Sequence, residues 1–491
     1  MVSRFCWSCL SGLRQTPRVA LLPRVQPTTA AASSFHTSAA RYANPPKKKA
    51  NVMDTGPKYR QSKSARMKKK TVVDRGKPPA PGERKAARKR IVLSNANALE
   101  VPGMQELSEA TMADARLTGS VVSLSSTLID NLRAVQAFKP TQGWSIFRRP
   151  STVLRRETIE LGQLINRITE GPEKGTSAKK IITGVRGSGK SVHLLQAMAM
   201  AFLKNWVVFT VPEAQDLVIA HTQYAPLPDT NPTLYVQNQA TSALLLRTAL
   251  ANKSVLENLK VSLEHKGLPV QSGMNLEQLA RLGVQDPSIS WPVFQALWKE
   301  LTTVEGRPPI LVTVDGLAHW MKDSNYRSAD FKPIHAFDLV FVRHFISLLQ
   351  PGRTSPALPN GGLLLYATSG SNSPSVYSFQ IGLSQLEARK KGVNPSSPEY
   401  PQPNPYVKTD SRVLDVFAPA KPTNPKEGAL ELDTLGGLSR HEARGYMEYF
   451  ARSGLLPERV TDEWVSEKWT LAGGGIIGEM ERLGRRVRAM V

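Results

Sequence analysis

The chain has 491 residues, of which 41% are hydrophobic, and a formal net charge of +24 at neutral pH. This length allows about two to four domains or one large domain with additions, and the lack of any run of 18 or more apolar residues excludes an ordinary membrane-spanning helix. Residues 1–90 contain 22 Lys and Arg residues and three acids, so they carry +19 of the charge and leave residues 91–491 nearly balanced.

The first segment, residues 1–42, has the composition of a mitochondrial transit peptide. It contains five arginines and many Ser, Thr and Ala residues, and the first acid of the chain is Asp54. Transit peptides are Arg-rich, Ser-rich and poor in acids, so we predict import into the mitochondrial matrix with cleavage before Ala43. The only two cysteines, Cys6 and Cys9, lie in this segment, and we therefore set aside a redox C-x-x-C motif and half a zinc site.

A basic arm follows at residues 43–92. It is rich in Lys, Arg and Pro and has almost no apolar periodicity, so we predict that it is disordered when free. Such an arm favours a polyanion partner, and its affinity for nucleic acid would fall steeply with salt. The alternative is a solvated extension without a fixed partner. Residues 93–140 are mixed in composition and are predicted to form an N-terminal extension with short helices.

Short apolar runs alternate with stretches of helical spacing from residue 141 to about residue 430. The predicted strands are 180–183, 206–211, 310–314, 363–367 and 412–417. The predicted helices are 151–170, the segment after the Gly-rich turn at 184–191, 239–251, the segment from Pro292, and 334–350. Repeated alternation of this kind predicts an α/β domain with a mostly parallel sheet and helices on both faces.

The C-terminal part of the sequence predicts a surface insertion and a helical tail. Residues 391–405 contain five prolines and are predicted to lack regular structure. Residues 431–491 are predicted to form a small helical lid. Ser439 and Glu442 have the spacing of a capping box, in which a hydroxyl and a carboxylate satisfy free amides at a helix start, and Gly454 is predicted to end that helix.

The strongest motif is Gly184-Val185-Arg186-Gly187-Ser188-Gly189-Lys190-Ser191, which matches the P-loop pattern G-x-x-x-x-G-K-[ST] in full. Glycines allow the backbone amides to point at phosphate oxygens, the lysine supplies a positive charge to the β- and γ-phosphates, and the serine hydroxyl reaches Mg²⁺. The alternative is a flexible surface loop. The predicted nucleotide-binding residues are Gly184, Gly187, Ser188, Gly189, Lys190, Ser191 and Val192.

Asp315 ends the apolar run 310–314 and is the predicted partner of this loop. A carboxylate at the end of such a strand lies next to the P-loop and can hold Mg²⁺ through water, so Ser191 and Asp315 are the predicted metal site. The next residue is Gly316, where many P-loop enzymes carry a glutamate that polarises the attacking water. Without such a group the loop binds phosphates but activates nothing, so we predict no catalytic residue and little or no hydrolysis.

Further candidates are weaker. Thr368, Ser369 and Asn372 follow a predicted strand and are candidate γ-phosphate sensors, although the same residues are typical of a simple turn. The stretch 407–410 resembles the guanine-reading N-x-x-D pattern but lacks its first residue, and we interpret it as coincidence. The histidines lack metal-ligand spacing.

Taken in order, these elements resemble the death-associated protein 3 family, the P-loop GTP-binding proteins of the mitochondrial small ribosomal subunit. The residues that carry the resemblance are Trp144 to Pro150, the P-loop, Trp206 to Ala214 with its Pro-Glu-Ala end, and Val312 to Gly316 with its Val-Asp-Gly end. The resemblance covers about residues 140–491.

The resemblance implies an AAA+/STAND-like P-loop NTPase fold with a C-terminal helical lid. It implies GTP or GDP as the bound nucleotide, with Gly187, Gly189, Lys190 and Ser191 on the phosphates, and Mg²⁺ on Ser191 and Asp315. It also implies contacts with small-subunit ribosomal RNA, with neighbouring small-subunit proteins, and with the large subunit through an intersubunit bridge. No membrane span and no homo-oligomer are expected. The segment 472–475 resembles the lid turn of related ATPases, but it lacks their Asn-Pro and following arginine.

Three functions compete at this point. The first is a structural ribosomal protein with a bound guanine nucleotide, which we favour. The second is an active matrix NTPase of the AAA+/STAND type, acting in remodelling or signalling, against which Gly316 argues. The third is a plain RNA-binding protein with a degenerate site, against which the complete P-loop pattern argues.

Overall fold

A computed structural model describes residues 91–350, 357–370, 373–419 and 427–486. The predicted transit peptide, nearly all of the predicted basic arm and the candidate sensor Asn372 lie outside these residues. None of the described helices is long and apolar enough to cross a membrane.

The strands of the described residues form one central sheet and three small two-stranded sheets. In chain order they are β1 (Val121–Ser123), β2 (Ser151–Val153), β3 (Ser177–Thr183), β4 (Val207–Val211), β5 (Ala225–Pro226), β6 (Tyr235–Val236), β7 (Ile310–Asp315), β8 (Asp323–Arg327), β9 (Pro333–His335), β10 (Gly362–Ala367) and β11 (Glu427–Thr434).

The α-helices surround the sheet and form the C-terminal part of the chain. They are α1 (Ser126–Ala134), α2 (Arg156–Thr169), α3 (Lys190–Leu203), α4 (Asn238–Ala251), α5 (Lys253–Leu256), α6 (Leu276–Gln285), α7 (Ser290–Thr303), α8 (Val340–Leu349), α9 (Tyr377–Lys390), α10 (Ser411–Val416), α11 (Arg440–Arg452), α12 (Asp462–Leu471) and α13 (Ile477–Arg486).

The central sheet has the order β11-β3-β10-β7-β4, and every neighbouring pair is parallel. Side chains of a strand alternate between the two faces. In β10, Leu363 and Leu365 therefore join the apolar core that contains α2 and α3, whereas Leu364 and Tyr366 join the core that contains α7 and α8. Because both faces are covered, the strands read as continuous apolar runs, and the predicted α/β class with a parallel sheet is confirmed.

The predicted fifth strand at 412–417 is wrong. Residues 411–416 form helix α10, in which Val413, Val416 and Phe417 have helical spacing and are buried, and the Asp410 carboxylate caps the first turn. The fifth strand is β11, at the edge of the sheet beside β3. Three of its eight residues are charged and only Glu427 and Leu432 are buried, so it lacks the apolar run that marks the other four.

Two predicted helices begin later than expected. Residues 151–153 form β2, which pairs with β1, and α2 starts only at Arg156. Residues 333–335 form β9 and a 3-10 turn follows, so α8 starts at Val340. In both places a short strand precedes the helix, and its buried apolar residue, Val153 or Ile334, extends the apolar pattern of the helix backward. The predicted insertion 391–405 contains no helix or strand, in agreement with its proline content.

The C-terminal helices have their own apolar cluster. It is formed by residues of α11, α12 and α13 together with Phe147 and Val153. The predicted capping box is present at the start of α11, with both the Ser439 and Glu442 bonds made. The helix ends at Arg452, and Gly454 follows with a φ of +69°, as the sequence predicts.

Candidate functional site

The carboxyl ends of four strands of the central sheet open onto one cavity of about 790 Å³. Strands β3, β4, β7 and β10 are parallel, so their carboxyl ends lie at the same edge, where α/β proteins bind ligands. Residues that follow each of these strands line the cavity: Gly187, Gly189, Lys190, Ser191 and Val192 after β3, Glu213 to Gln215 after β4, Asp315 and Gly316 at the end of β7, and Thr368 to Gly370 after β10.

We call residues 184–191 the glycine loop. It connects β3 to α3 and turns tightly, because Gly187 and Gly189 have φ values of +84° and +96°, which residues with a Cβ rarely adopt. Helix α3 begins at Lys190 and has 14 residues. Because its first residues, Lys190 to Val192, line the cavity, the free amides and the positive dipole end of α3 face it. This arrangement favours anions.

Lys190 is folded over the glycine loop. Its Nζ donates hydrogen bonds to the carbonyl oxygens of Gly184, at 2.6 Å, and Val185, at 3.0 Å. Burial lowers the pKa of Lys190 below its ordinary value, and the nearby Asp315 carboxylate partly offsets this. The Ser188 hydroxyl is buried and has no hydrogen-bond partner among the described residues. Lys190 lines the cavity and is available to a phosphate, whereas Ser188 is fully buried and is not among the residues that line it.

Asp315 and Ser191, the predicted metal ligands, are in direct contact. The Ser191 hydroxyl donates to Oδ2 of Asp315 at 2.5 Å. The same carboxylate oxygen forms an ion pair with the Lys139 ammonium. The side chain of Asp315 is 8% exposed. A hydroxyl and a carboxylate are the hard oxygen donors that Mg²⁺ prefers, so Ser191 and Asp315 fit this metal. The Lys139 ammonium, however, already contacts the carboxylate.

Gly316 turns the chain away from β7. Its φ is +90°, its N–H donates to the Ala367 carbonyl at 2.9 Å, and a Cβ here would lie 3.3 Å from the His319 ring. Burial lowers the pKa of His319, with Lys322 contributing. The backbone thus disfavours any larger residue directly after Asp315. The cavity does contain an exposed carboxylate, Glu213, which follows β4 beside β7.

The weaker sequence candidates divide into two groups. Thr368 and Ser369 line the cavity, and Thr368 donates its N–H to the Ile182 carbonyl at 2.9 Å. The stretch 407–410 serves a structural purpose, because Asp410 accepts the Arg412 amide at 2.9 Å and caps α10. Among the described residues there is no group of three or more His, Cys, Asp and Glu side chains that could hold a metal.

The start of α13 covers the glycine loop from the other side. The Gly478 N–H donates to the Gly187 carbonyl at 3.0 Å. A Cβ on Gly189 would lie 3.3 Å from the Ile477 side chain. Buried Arg155 links the loop to the segment between β11 and α11, since its guanidinium donates to the carbonyls of Ser188, at 2.8 Å, and Gly436, at 2.9 Å. The loop is therefore enclosed by two regions distant in sequence.

Sequence reasoning missed three residues of the site: Lys139, Arg155 and Glu213. Lys139 and Arg155 are single basic residues in segments without a motif, and only the folded chain brings them to the loop. Glu213 was noted as part of a family signature, but its position next to Asp315 follows from the strand order, in which β4 lies beside β7.

Comparison with known proteins identifies relatives over nearly the whole chain. The family described as mitochondrial ribosomal death-associated protein 3 matches residues 152–483. A protein of Neurospora crassa, the small ribosomal subunit protein mS29, is 42% identical over 484 residues, which cover 97% of this chain and 97% of the relative. The resemblance predicted from the sequence is thereby confirmed, and the chain belongs to the mitochondrial ribosomal death-associated protein 3 family.

Proposed function

We propose that this protein is a structural component of the mitochondrial small ribosomal subunit and supports mitochondrial translation. The observation that carries this proposal is the 42% identity to a small-subunit protein over 97% of both chains. The mitochondrial location predicted from residues 1–42 agrees with the family. Its partners would be small-subunit ribosomal RNA, neighbouring small-subunit proteins, and the large subunit through an intersubunit bridge.

The site in this protein would bind a guanine nucleotide. The strand order, the glycine loop after β3, and Asp315 at the end of β7, with β10 between these two strands, support a P-loop fold of the AAA+/STAND type, with α11 to α13 as its helical lid. Amides of residues 187–191 and the Lys190 ammonium would hold the phosphates, and Ser191 and Asp315 would hold Mg²⁺. A bound metal would neutralise phosphate charge. Thr368 and Ser369 would face the terminal phosphate.

Hydrolysis by this site would be slow or negligible. Gly316 replaces the water-polarising residue, and its backbone conformation disfavours a glutamate there. Positioning and charge stabilisation make up most of phosphoryl-transfer catalysis, and the attacking water must be oriented. A nucleotide that stays bound would then act by mass action, since it stabilises only the folded state.

Sedimentation tests the ribosomal part of the proposal. Matrix extract is run on sucrose gradients at low and high salt, and the protein is located by antibody. We expect it to migrate with small subunits in both salts. A protein that stays at the top of both gradients is not a ribosomal component.

The nucleotide part is tested by denaturing the protein from the small-subunit peak and identifying the released nucleotide. We expect about one guanine nucleotide per chain. Release of adenine nucleotide would contradict the choice of base, and release of none would support the degenerate-site alternative.

The second candidate function is an active matrix NTPase, and one observation favours it. Glu213 is an exposed carboxylate in the same cavity as Asp315, so it could orient a water in place of the missing residue. Single-turnover hydrolysis of bound GTP separates the two. We expect wild type and Glu213→Gln to be equally slow, whereas fast hydrolysis that Glu213→Gln abolishes would establish the enzyme.

A further inference from the structure

Three side chains meet at one carboxylate oxygen of the candidate site. Oδ2 of Asp315 accepts the Ser191 hydroxyl at 2.5 Å and forms an ion pair with the Lys139 ammonium. Ser191 and Asp315 are the pair proposed to hold Mg²⁺. A positive charge of the chain itself therefore lies beside the oxygen that the metal would use.

The segment around Lys139 is held in place on both sides of the residue. The Lys139 N–H donates to Oε1 of Gln142 at 2.9 Å, and the Gln142 N–H donates back to the Lys139 carbonyl at 3.1 Å. Phe138 and Trp144 pack edge to face with their ring centroids 5.0 Å apart, and both are buried. The Lys139 side chain is only 21% exposed. A closed turn with aromatic anchors thus fixes the base of the side chain and directs it to Asp315.

Lysine and Mg²⁺ cannot both occupy this position on Oδ2. Magnesium binds oxygen ligands at about 2.0–2.1 Å, and a divalent cation and an ammonium held on the same oxygen would lie close enough to repel each other strongly. Lysine carries a compact charge with three donors on a flexible stem, so it can turn from a carboxylate to a nearby phosphate. Lys190, the other lysine of the cavity floor, is already held by loop carbonyls.

We propose that Lys139 competes with Mg²⁺ for Asp315 and acts as a built-in cation of the nucleotide site. This inference rests on the proposed guanine-nucleotide function and names how that nucleotide is held. With metal present, Ser191 and Asp315 bind it and the Lys139 ammonium is displaced from the carboxylate. Without metal, Lys139 stays between the carboxylate and the phosphates and replaces the missing positive charge. The site therefore retains nucleotide under conditions that strip ordinary magnesium-dependent sites.

The test compares nucleotide affinity with and without metal in each variant. The full mature chain, freed of bound nucleotide, is titrated with a fluorescent GDP analogue in excess Mg²⁺ and in excess EDTA. The measured quantity is the ratio of the two dissociation constants. Because each protein is compared with itself, a variant that merely folds less well changes both constants and leaves the ratio unaffected.

We expect wild type to bind the GDP analogue at most about threefold more weakly in EDTA than in Mg²⁺. For Lys139→Met we expect a loss of at least about tenfold between the same two conditions, the size of one lost charge-assisted contact. Lys139→Arg keeps the charge and should restore a small ratio. The matched control is Lys266→Met, which removes an exposed lysine far from the cavity and should behave as wild type.

Two results would overturn the inference while leaving the proposed function intact. One is a loss of about a hundredfold in wild-type affinity on adding EDTA, which would mean that the metal is indispensable. The other is an equal ratio in wild type and Lys139→Met. Failure of GDP to bind in both conditions would overturn the proposed nucleotide function itself, and this inference with it.

Discussion

Two buried carboxylates, Glu300 and Asp315, differ in what surrounds them. Glu300 is fully buried and accepts from the Ser262 amide at 3.0 Å, the Leu263 amide at 2.6 Å and the Arg307 guanidinium at 2.9 Å. Asp315 borders a cavity of about 790 Å³, and its Oδ2 accepts from Ser191 and Lys139, which both line that cavity.

The difference separates a structural acid from a ligand-binding one. Backbone amides and an arginine surround Glu300 and compensate its buried charge inside the protein. Beside Asp315 the compensating groups are the Ser191 and Lys139 side chains, which line a cavity large enough for a ligand. A carboxylate at the end of a strand therefore indicates a binding site only when it also borders a cavity. The following variants test the difference between Glu300 and Asp315.

The largest expected effect is on stability at Glu300. Glu300→Gln should lower the free energy of unfolding by about 3–5 kcal/mol, because Arg307 is left buried without its partner charge. Urea denaturation of the purified protein measures this. The control is Glu264→Gln, at an exposed residue that directly follows Leu263, and it should change stability by less than about 0.5 kcal/mol. A small loss at Glu300 would mean that its cluster is not structural.

The second effect concerns His193, on the far side of α3 from the cavity. Burial, with Arg155 adding, lowers the pKa of His193 to about 4, whereas the unfolded chain has the ordinary value of about 6.5. Below pH 6.5 the unfolded chain binds a proton that the folded chain refuses, so stability is complete above pH 6.5 and falls as the pH drops toward 4.

At about 1.4 kcal/mol per pH unit, the loss reaches about 3 kcal/mol at pH 4. His193→Gln should reduce the slope of unfolding free energy against pH between 6.5 and 4, while His441→Gln, at an exposed position, should leave it unchanged. Equal slopes in wild type and His193→Gln would show that this histidine does not titrate as described.

The sequence alone was sufficient for most of the sheet. Four strands lie at the predicted positions, because parallel strands that are covered on both faces need continuous apolar residues. It failed at β11, whose charged residues are tolerated at an edge, and at 412–417, where four apolar residues fit either a short strand or one helical turn. Short apolar runs do not distinguish these two cases by periodicity.

The third effect is on nucleotide binding at Lys190. Lys190→Met should weaken GDP binding by about tenfold to a hundredfold, because a charge-assisted contact to phosphate contributes about 1.5–3 kcal/mol. Equilibrium titration with a fluorescent GDP analogue measures this. Lys174→Met, at an exposed lysine before β3, is the control. Unchanged affinity in Lys190→Met would remove the glycine loop from the binding site.

The smallest effect is at the capping box of α11. Ser439→Ala should cost about 1 kcal/mol of stability, since the Glu442 amide loses its hydroxyl acceptor. Thermal unfolding measures the loss, and Ser466→Ala, in the middle of α12, is the control. Because Ser439 does not line the cavity, GDP affinity should stay the same, and a large loss of affinity would show that α11 takes part in binding.

The sequence predicted only part of the candidate site, as it predicted only part of the fold. The glycine loop and Asp315 were predictable because phosphate and metal binding require fixed residue types at fixed spacing or at a strand end. Lys139, Arg155 and Glu213 were not, because each contributes one side chain whose place depends on the packing of distant segments. The sequence encodes their positions only through the fold.

The most direct test of the account is thermal unfolding of the nucleotide-free protein with increasing GDP or ADP. A ligand of the native state raises stability by about 2.7 kcal/mol when its free concentration is about 100 times its dissociation constant. We predict that GDP raises the melting temperature of wild type, that ADP raises it less, and that Lys190→Met loses the GDP effect. A melting temperature that neither nucleotide changes, at concentrations up to the millimolar range, would contradict a nucleotide site at this edge of the sheet.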